Sequence, residues 1–508
     1  MLFEETILEK GEYQKFSMFR ILKSFEGTNY TIIDISNAMG VSYQQTYNIL
    51  QELLEDIKGF PNANLQKLDR KTFLSSKQIP ITIDMYRLFL LKRSIVFQFI
   101  NYIVQGANPN VEKFCQDHFI SRSTLLRKNA PLKVLLEKYQ IKISYNELGL
   151  IGDEKRIRFF LYCFYWLSFR GLEWPFKSTS YFDVSQQLQL EPNELNDPVV
   201  TIRTVLFWSI SRIRVIHGYQ ISDMESFNEI FPRNLTAFNL DRSFNNVNFP
   251  NISNEQLLVE SQFFLFFRLQ SLIFPNSNDE ISNKIYQEIK ADQGTIWELT
   301  EEFITETQKH LIDGERDQQL ANNIPLQANL MRIFFSYYVM KGDYFQFNDF
   351  YDQDNAIDYN NSTPYKIVSN FVNEKHEESK YRPYLIAEQK VIDEIQYLMI
   401  PYLRFFKSNE AVKVKLILES SDLVTRDVMT FLDDLSFVDI ENEGDDPSDA
   451  DVIVSSIADI DKIYSHKDLT DKIIVDWNLD ANETEYFNLY QTLKKVFTEK
   501  TAIEKADD

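Results

Sequence analysis

The run Ile35-Ser36-Asn37-Ala38-Met39-Gly40-Val41-Ser42-Tyr43-Gln44-Gln45-Thr46-Tyr47-Asn48-Ile49-Leu50 spaces three small residues in a telling way. Two helices that cross closely need a small residue at the crossing, a turn residue that tolerates positive φ, and an N-cap for the second helix. Ser36, Gly40 and Ser42 fill those positions in register. The exposed positions of the second helix are then Tyr43, Gln44, Gln45, Tyr47 and Asn48. Glutamine and asparagine amides can pair bidentately with adenine, and a helix N-terminus can meet a phosphate. No Lys or Arg stands between Lys23 and Lys58, so this unit alone holds phosphates weakly. A helical hairpin that never meets DNA is its competing reading.

A second run, Phe114-Cys115-Gln116-Asp117-His118-Phe119-Ile120-Ser121-Arg122-Ser123-Thr124-Leu125-Leu126-Arg127-Lys128, repeats the logic with positive charge. Ser121 is the expected N-cap. Arg122, Ser123, Thr124, Arg127 and Lys128 are expected on the exposed side, with Leu125 and Leu126 facing the core. Between Lys113 and Arg158 there are ten basic residues and five acidic ones. Affinity for DNA comes largely from neutralised phosphates, so this unit should supply most of the binding energy. Arg122 and Arg127 are the expected base readers; Lys128, Lys133 and Lys142 are the expected phosphate contacts. The bland alternative is an ordinary basic solvated helix. His118 reads as a packing or solvent-facing histidine.

The elements that must position these runs follow from composition and periodicity. At 508 residues the chain has room for roughly three to five domains. Its 41 Phe and 26 Tyr supply several cores, and few Gly and Pro favour helices over a β-sandwich. Residues 15–60 read as three helices, and 72–84 as an extended segment. Helices are expected over 88–102, over 110–118 and from Arg122 onward, then two short strands around 141–151 as a wing. From 157 to 405 long amphipathic helices dominate. After Pro401 strands at 412–418, 451–455 and 473–475 alternate with helices at 425–434 and 483–499, the pattern of a small parallel α/β domain.

Charge divides the chain. Net charge is −22, yet residues 1–170 carry 23 basic against 17 acidic residues, leaving 30 against 58 in the remainder. A basic head on an acidic body is the asymmetry of a DNA-binding regulator, although a chance surface pattern gives the same numbers. Two cysteines, Cys115 and Cys163, make no disulfide framework and read as buried thiols. The acidic start Met-Leu-Phe-Glu-Glu is unlike a signal peptide. The apolar run Phe159–Phe169 is shorter than the about 20 residues a membrane helix needs. The expected setting is cytoplasmic, without membrane contact. Glycine-rich phosphate loops, metal-ligand clusters and nucleophile motifs are missing, so neither enzyme activity nor a cofactor is expected. The acidic run Glu441–Asp451 reads as a solvated loop.

With the stretch Ile141-Lys142-Ile143…Gly152-Asp153-Glu154-Lys155-Arg156-Ile157-Arg158-Phe159-Phe160…Trp166, the two runs resemble the Mga/AtxA family of Gram-positive global transcription regulators. The resemblance implies a mainly α multidomain chain. It would have a first helix-turn-helix domain (1–70), a second winged one (71–156), two PRD-like helical bundles (157–280 and 281–405), and a small α/β domain similar to enzyme IIB (406–508). It also implies a homodimer on double-stranded promoter DNA, tuned by phosphocarrier proteins of the sugar phosphotransferase system and acting with RNA polymerase, in the manner of a virulence regulator.

In such regulators PRD histidines accept phosphate, which makes His217, His310 and His376 the regulatory candidates. His310 precedes Arg316 and Asn323-Ile324-Pro325-Leu326, loosely similar to the family pattern; His376 lies at about the distance of a second PRD histidine. His217 follows Arg212 instead of preceding it. The loop Leu418-Glu419-Ser420-Ser421-Asp422 lacks the phosphorylated Cys of active enzyme IIB domains, so this domain is expected to serve dimerisation or docking, with an acidic surface at Asp433, Asp434, Glu441 and Glu443. An RNA-binding antiterminator on the same body and a phosphotransferase component are the alternatives. The helical first 60 residues count against the former and the missing Cys against the latter.

Overall fold

The computed structural model describes residues 3–25, 30–60, 79, 81–106, 108–188, 197–231, 243–272, 280–311, 320–350, 359, 362–406, 410–418, 422–442, 445–457, 469, 472–478 and 480–503. The chain is mainly helical and divides into two compact units. One comprises Met1–Asn228, Arg233–Arg268 and Tyr344–Gln353; the other comprises Glu229–Pro232, Leu269–Asp343 and Asp354–Asp508.

In the first unit, helices Lys10–Ser24, Ile32–Met39 and Tyr43–Lys58 form the expected three-helix group. Capping chemistry sets its breaks. Thr31 and Asp34 make a reciprocal capping box, as do Ser42 and Gln45, and Gly40 closes the middle helix at φ +63°. Phe19, Leu22, Ile35, Leu50, Leu53 and Ile57 form its core.

The next group departs from expectation at two points. Residues 83–84 are not extended: helix Ile83–Arg93 begins there, capped by Thr82, whose side chain accepts from the Met85 N–H. Residues 72–78 and Pro80 of that predicted segment lie outside the described residues. The single helix expected over 88–102 is two, Ile83–Arg93 and Ile95–Gln105, because Ser94 ends one and caps the other. Its hydroxyl also donates to the Ile7 carbonyl at 2.6 Å, fixing the corner.

Helices Val111–Asp117, Arg122–Lys128 and Ala130–Lys138 follow, then strands β1 (Lys142–Ser144) and β2 (Gly149–Ile151). The two strands are antiparallel with Ile143 opposite Leu150. Those two side chains are buried, while Lys142 and its partner Ile151 are exposed, as the two-residue period of a strand requires.

Behind this head, helix Glu154–Phe169 is buried at every residue except Glu154 and Trp166. Helix Pro198–Ile216 and, up to Arg268, helix Asn254–Leu269 also belong to the first unit. The expectation of amphipathic helices needs correcting for Glu154–Phe169, which is a central helix packed on all sides. Phe159 alone meets the rings of Phe207, Phe263, Phe266, Phe267 and Tyr344.

The second unit contains helices Thr295–Gln308, Ile324–Met340, Thr363–Glu377 and Glu388–Met399. It also holds a four-stranded parallel sheet in the order β4-β3-β5-β6, with β3 Val412–Ile417, β4 Val438–Ile440, β5 Val452–Ser455 and β6 Ile473–Asp476. Strand β4 is an addition to the sequence reading. Val412, Val414, Val452 and Val454 pack with Leu489, Leu493 and Phe497 of helix Glu483–Ile503. Among the described residues, no helix is long and apolar enough to cross a membrane.

Candidate nucleic-acid interface

The second helix-turn-helix is built around one serine. The Ser121 hydroxyl accepts the Thr124 N–H at 3.1 Å and so starts helix Arg122–Lys128, an N-cap contribution of about 1 kcal/mol. It also lies 2.8 Å from the Ser123 hydroxyl and 2.9 Å from that of Thr124. Both candidate contacts are therefore drawn toward the cap before any ligand arrives. Leu125 is fully buried, but Leu126 is 42% exposed, which corrects the expectation that both face the core. Neighbours on a helix diverge by about 100°, so a short helix seats only one of them.

The cations differ in freedom. Arg127 is exposed and has no ion-pair partner among the described residues. Arg122 is exposed; its guanidinium lies 3.4 Å from the Asn146 side-chain oxygen, at the tip of the wing, and 3.8 Å from Glu112. Lys128 is half-buried and paired with Glu9, just ahead of helix Lys10–Ser24. Lys133 faces Glu137 at 3.7 Å on its own helix. Lys142 projects from β1, exposed and without an ion-pair partner among the described residues. Arg127 and Lys142 are thus available without breaking a pair. Lys128 must first leave Glu9, a contact worth at most about 1 kcal/mol at the surface.

The first helix-turn-helix presents amides, not charge. Tyr43, Gln44, Gln45 and Asn48 are exposed and Tyr47 half-buried. Gln44 donates to Asn48 at 3.1 Å, while the Gln45 side-chain oxygen accepts from the Ser42 N–H at 3.4 Å and hydroxyl at 3.2 Å. Gln45 is therefore committed to the cap.

Sequence reasoning missed two features of the second head. Phe119, at φ +53° in the turn, is 96% exposed, and Asn146 reaches Arg122 from the wing. Its residue type, apolar and beside Ile120, gives no sign of exposure; its position at the turn between the two helices is the one signal. His118 packs against Phe114, with ring centroids 4.1 Å apart and planes tilted by 36°, and Cys115 and Cys163 are buried.

The three candidate histidines sit in different surroundings. His217 follows helix Pro198–Ile216 and is half-buried; burial, then the Arg214 charge, pulls its pKa below the ordinary value, against a hydrogen bond to the Val104 backbone. His310 is exposed, 3.5 Å from Glu306. His376 is half-buried, 3.9 Å from Glu388. Asn323 caps helix Ile324–Met340 through the Leu326 N–H at 2.9 Å; Arg316 lies outside the described residues. Glu419, Ser420, Ser421 and Glu443 lie outside them too. Asp433 and Asp434 are exposed, whereas Glu441 is half-buried, and burial raises its carboxyl pKa.

Against known proteins, residues 80–165 match the Mga helix-turn-helix domain. Over 153 residues the chain is 28% identical to a Streptococcus pneumoniae serotype 4 protein described as a "Putative trans-acting regulator". That alignment covers 29% of this chain and 31% of the relative, so the match spans under a third of the relative's length.

Proposed function

We propose, from the match of residues 80–165 to the Mga helix-turn-helix domain, that this chain is a DNA-binding transcription regulator that reads double-stranded promoter DNA. The observation that carries the reading is the Ser121-capped helix, with Arg122 touching the wing tip and Arg127 and Lys142 without an ion-pair partner among the described residues. Arg122 and Arg127 read base edges, Lys142 and Lys133 hold phosphates, and Lys128 joins them on leaving Glu9. Ser123 and Thr124 add hydroxyl contacts. Tyr43, Gln44, Tyr47 and Asn48 of the first head add weaker contacts of the amide and aromatic kind.

The finer reading follows the expected domain plan: two heads in 1–156, PRD-like bundles in 157–280 and 281–405, and an enzyme IIB-like domain in 406–508 that carries no phosphoryl chemistry. A homodimer puts two heads on one duplex. His310 and His376 each lie beside a carboxylate, so phosphocarrier-dependent phosphorylation would add negative charge against Glu306 or Glu388 and force local repacking. RNA polymerase is the downstream partner.

The test is a binding titration of the full chain on promoter DNA at low and moderate salt, beside a variant with Arg122, Arg127 and Lys128 all changed to alanine. Salt-sensitive binding that the variant loses is expected, with the log–log salt slope reduced by about 0.9 per contact. Binding that ignores salt, survives in the variant, or prefers a structured RNA over duplex would reject the reading.

A further inference from the structure

The wing of the second head rests on the side chain of a residue 70 positions along the chain. Gly149 opens β2, and a Cβ placed on it would lie 2.8 Å from the Tyr219 hydroxyl oxygen and 3.7 Å from the ring carbon bearing it. Contact at that range leaves room for glycine alone at 149 while the hydroxyl stays where it is.

The tyrosine is fixed from several sides. The Arg214 guanidinium covers its ring at 3.8 Å from the centroid. Its carbonyl accepts from Arg158 Nη2 at 3.3 Å. Two residues on, the Ile221 N–H donates to Glu260 at 3.0 Å, and the Ile221 carbonyl accepts from Gln256 at 2.9 Å.

These anchors belong to one buried ionic cluster. Arg158 donates to both Glu260 oxygens, and its Nε donates to Glu154 at 3.0 Å. Arg214 donates to the same Glu154 carboxylate at 2.9 and 2.7 Å. The Arg158 and Glu260 side chains are wholly buried, and those of Glu154 and Arg214 nearly so. Glu154 and Arg158 lie one turn apart on the helix that leaves the wing, Arg214 ends helix Pro198–Ile216, and Glu260 is mid-helix in Asn254–Leu269. Two cations and two carboxylates close the charge balance, and each polar group is multiply bonded, the condition under which a buried cluster holds one geometry. The wing is therefore gripped twice, by the helix that continues it and by the tyrosine against its strand.

We propose that Tyr219 is a positioning residue for the β1–β2 wing, so that three helices of the body set, through the Glu154–Arg158–Arg214–Glu260 cluster, how the head meets DNA. This rests on the DNA-binding reading above and names the element that adjusts it. Tyr219 acts through β2 on Lys142, which stands on the paired strand two residues' rise from Gly149's partner Ser144.

Two readouts on the full chain test it. The first needs no DNA: hydrogen exchange of the wing amides in Tyr219→Ala. Exchange at Gly149–Ile151 should rise about tenfold or more while helix Arg122–Lys128 is unchanged. Equal wing protection in variant and wild type overturns the seat. The second is promoter-duplex binding by Gly149→Ala, Tyr219→Phe and their combination. Gly149→Ala should bind about tenfold more weakly, with a salt slope shallower by about 0.9, the loss of one phosphate contact. Tyr219→Phe alone is the reference for the hydroxyl, and the double variant should bind better than Gly149→Ala, because the added methyl then meets a ring carbon at ordinary contact distance, 3.7 Å. A double variant no better than Gly149→Ala overturns the positioning role. Failure of the wild type to bind DNA defeats the functional reading, and the exchange experiment still decides the seat.

Discussion

Lys15 and Asp56, 41 residues apart, meet at 2.6 Å with both side chains buried. The same carboxylate receives Arg93 at 2.7 Å and the Tyr86 hydroxyl at 3.0 Å. One acid thus ties the three-helix group of the first head to the helix that opens the second. Burial first, then the Asp56 charge, pushes the Tyr86 phenol far above its usual range, so it stays a donor. Losing the Asp56 charge leaves Lys15 only Glu12, at 3.0 Å, and weakens the buried contacts of Arg93 and Tyr86, so Asp56→Asn should cost about 3 kcal/mol of stability. Urea unfolding of variant and wild type checks it; a loss under about 1 kcal/mol would mean that the pair behaves like a surface pair.

Gly40 turns at φ +63°, and a Cβ there would meet nothing within 4 Å. The cost of Gly40→Ala is then conformational alone, about 1 kcal/mol. Because the turn aims helix Tyr43–Lys58, the same variant probes the first head's share of DNA binding. A drop well beyond that cost in thermal unfolding would contradict the open space around the turn.

Capping residues made the heads readable in sequence. Ser42, Gly40 and Ser121 occupy the structural roles that their chemistry suggested, and Ile143 with Leu150 alternates as a wing should. What escaped was decided by distant contacts. Ser94 breaks a continuous apolar run because its hydroxyl finds Ile7, far away in sequence. Strand β4 is only Val438–Asp439–Ile440, too short to show a period, and exists because it pairs with β3. The pairing of Lys128 with Glu9 could not be inferred from either segment. Nor could the cluster around Arg158, whose members come from three helices over 107 positions, Glu154 to Glu260.

His217 gives the chain a pH dependence of definite sign. Burial, aided by the Arg214 charge, lowers its folded pKa below the ordinary 6.5. The unfolded chain therefore binds the proton first as pH falls. Stability from this site is whole above 6.5, declines as pH drops below it, and levels off beneath the lowered folded value. Urea midpoints above and below that window should show a drop in the wild type that His217→Asn lessens. An equal drop in both would assign the dependence to other groups.

Glu9 pairs with Lys128, so the acid of one head restrains the cation of the other, and on the proposed reading the pair must open before Lys128 meets a phosphate. Glu9→Gln should release the lysine, adding one contact. Affinity for promoter DNA should rise several-fold at low salt, with the salt slope steeper by about 0.9. Losing one negative charge anywhere on the chain also helps through the long-range field, so Glu52→Gln, exposed on helix Tyr43–Lys58, is the control. The field effect alone would give both variants the same small gain. A released lysine gives Glu9→Gln the larger gain, and that excess should vanish when Lys128→Ala is added. If the excess persists without Lys128, the ion pair has no part in binding and Glu9 acts only as one more negative charge near the duplex.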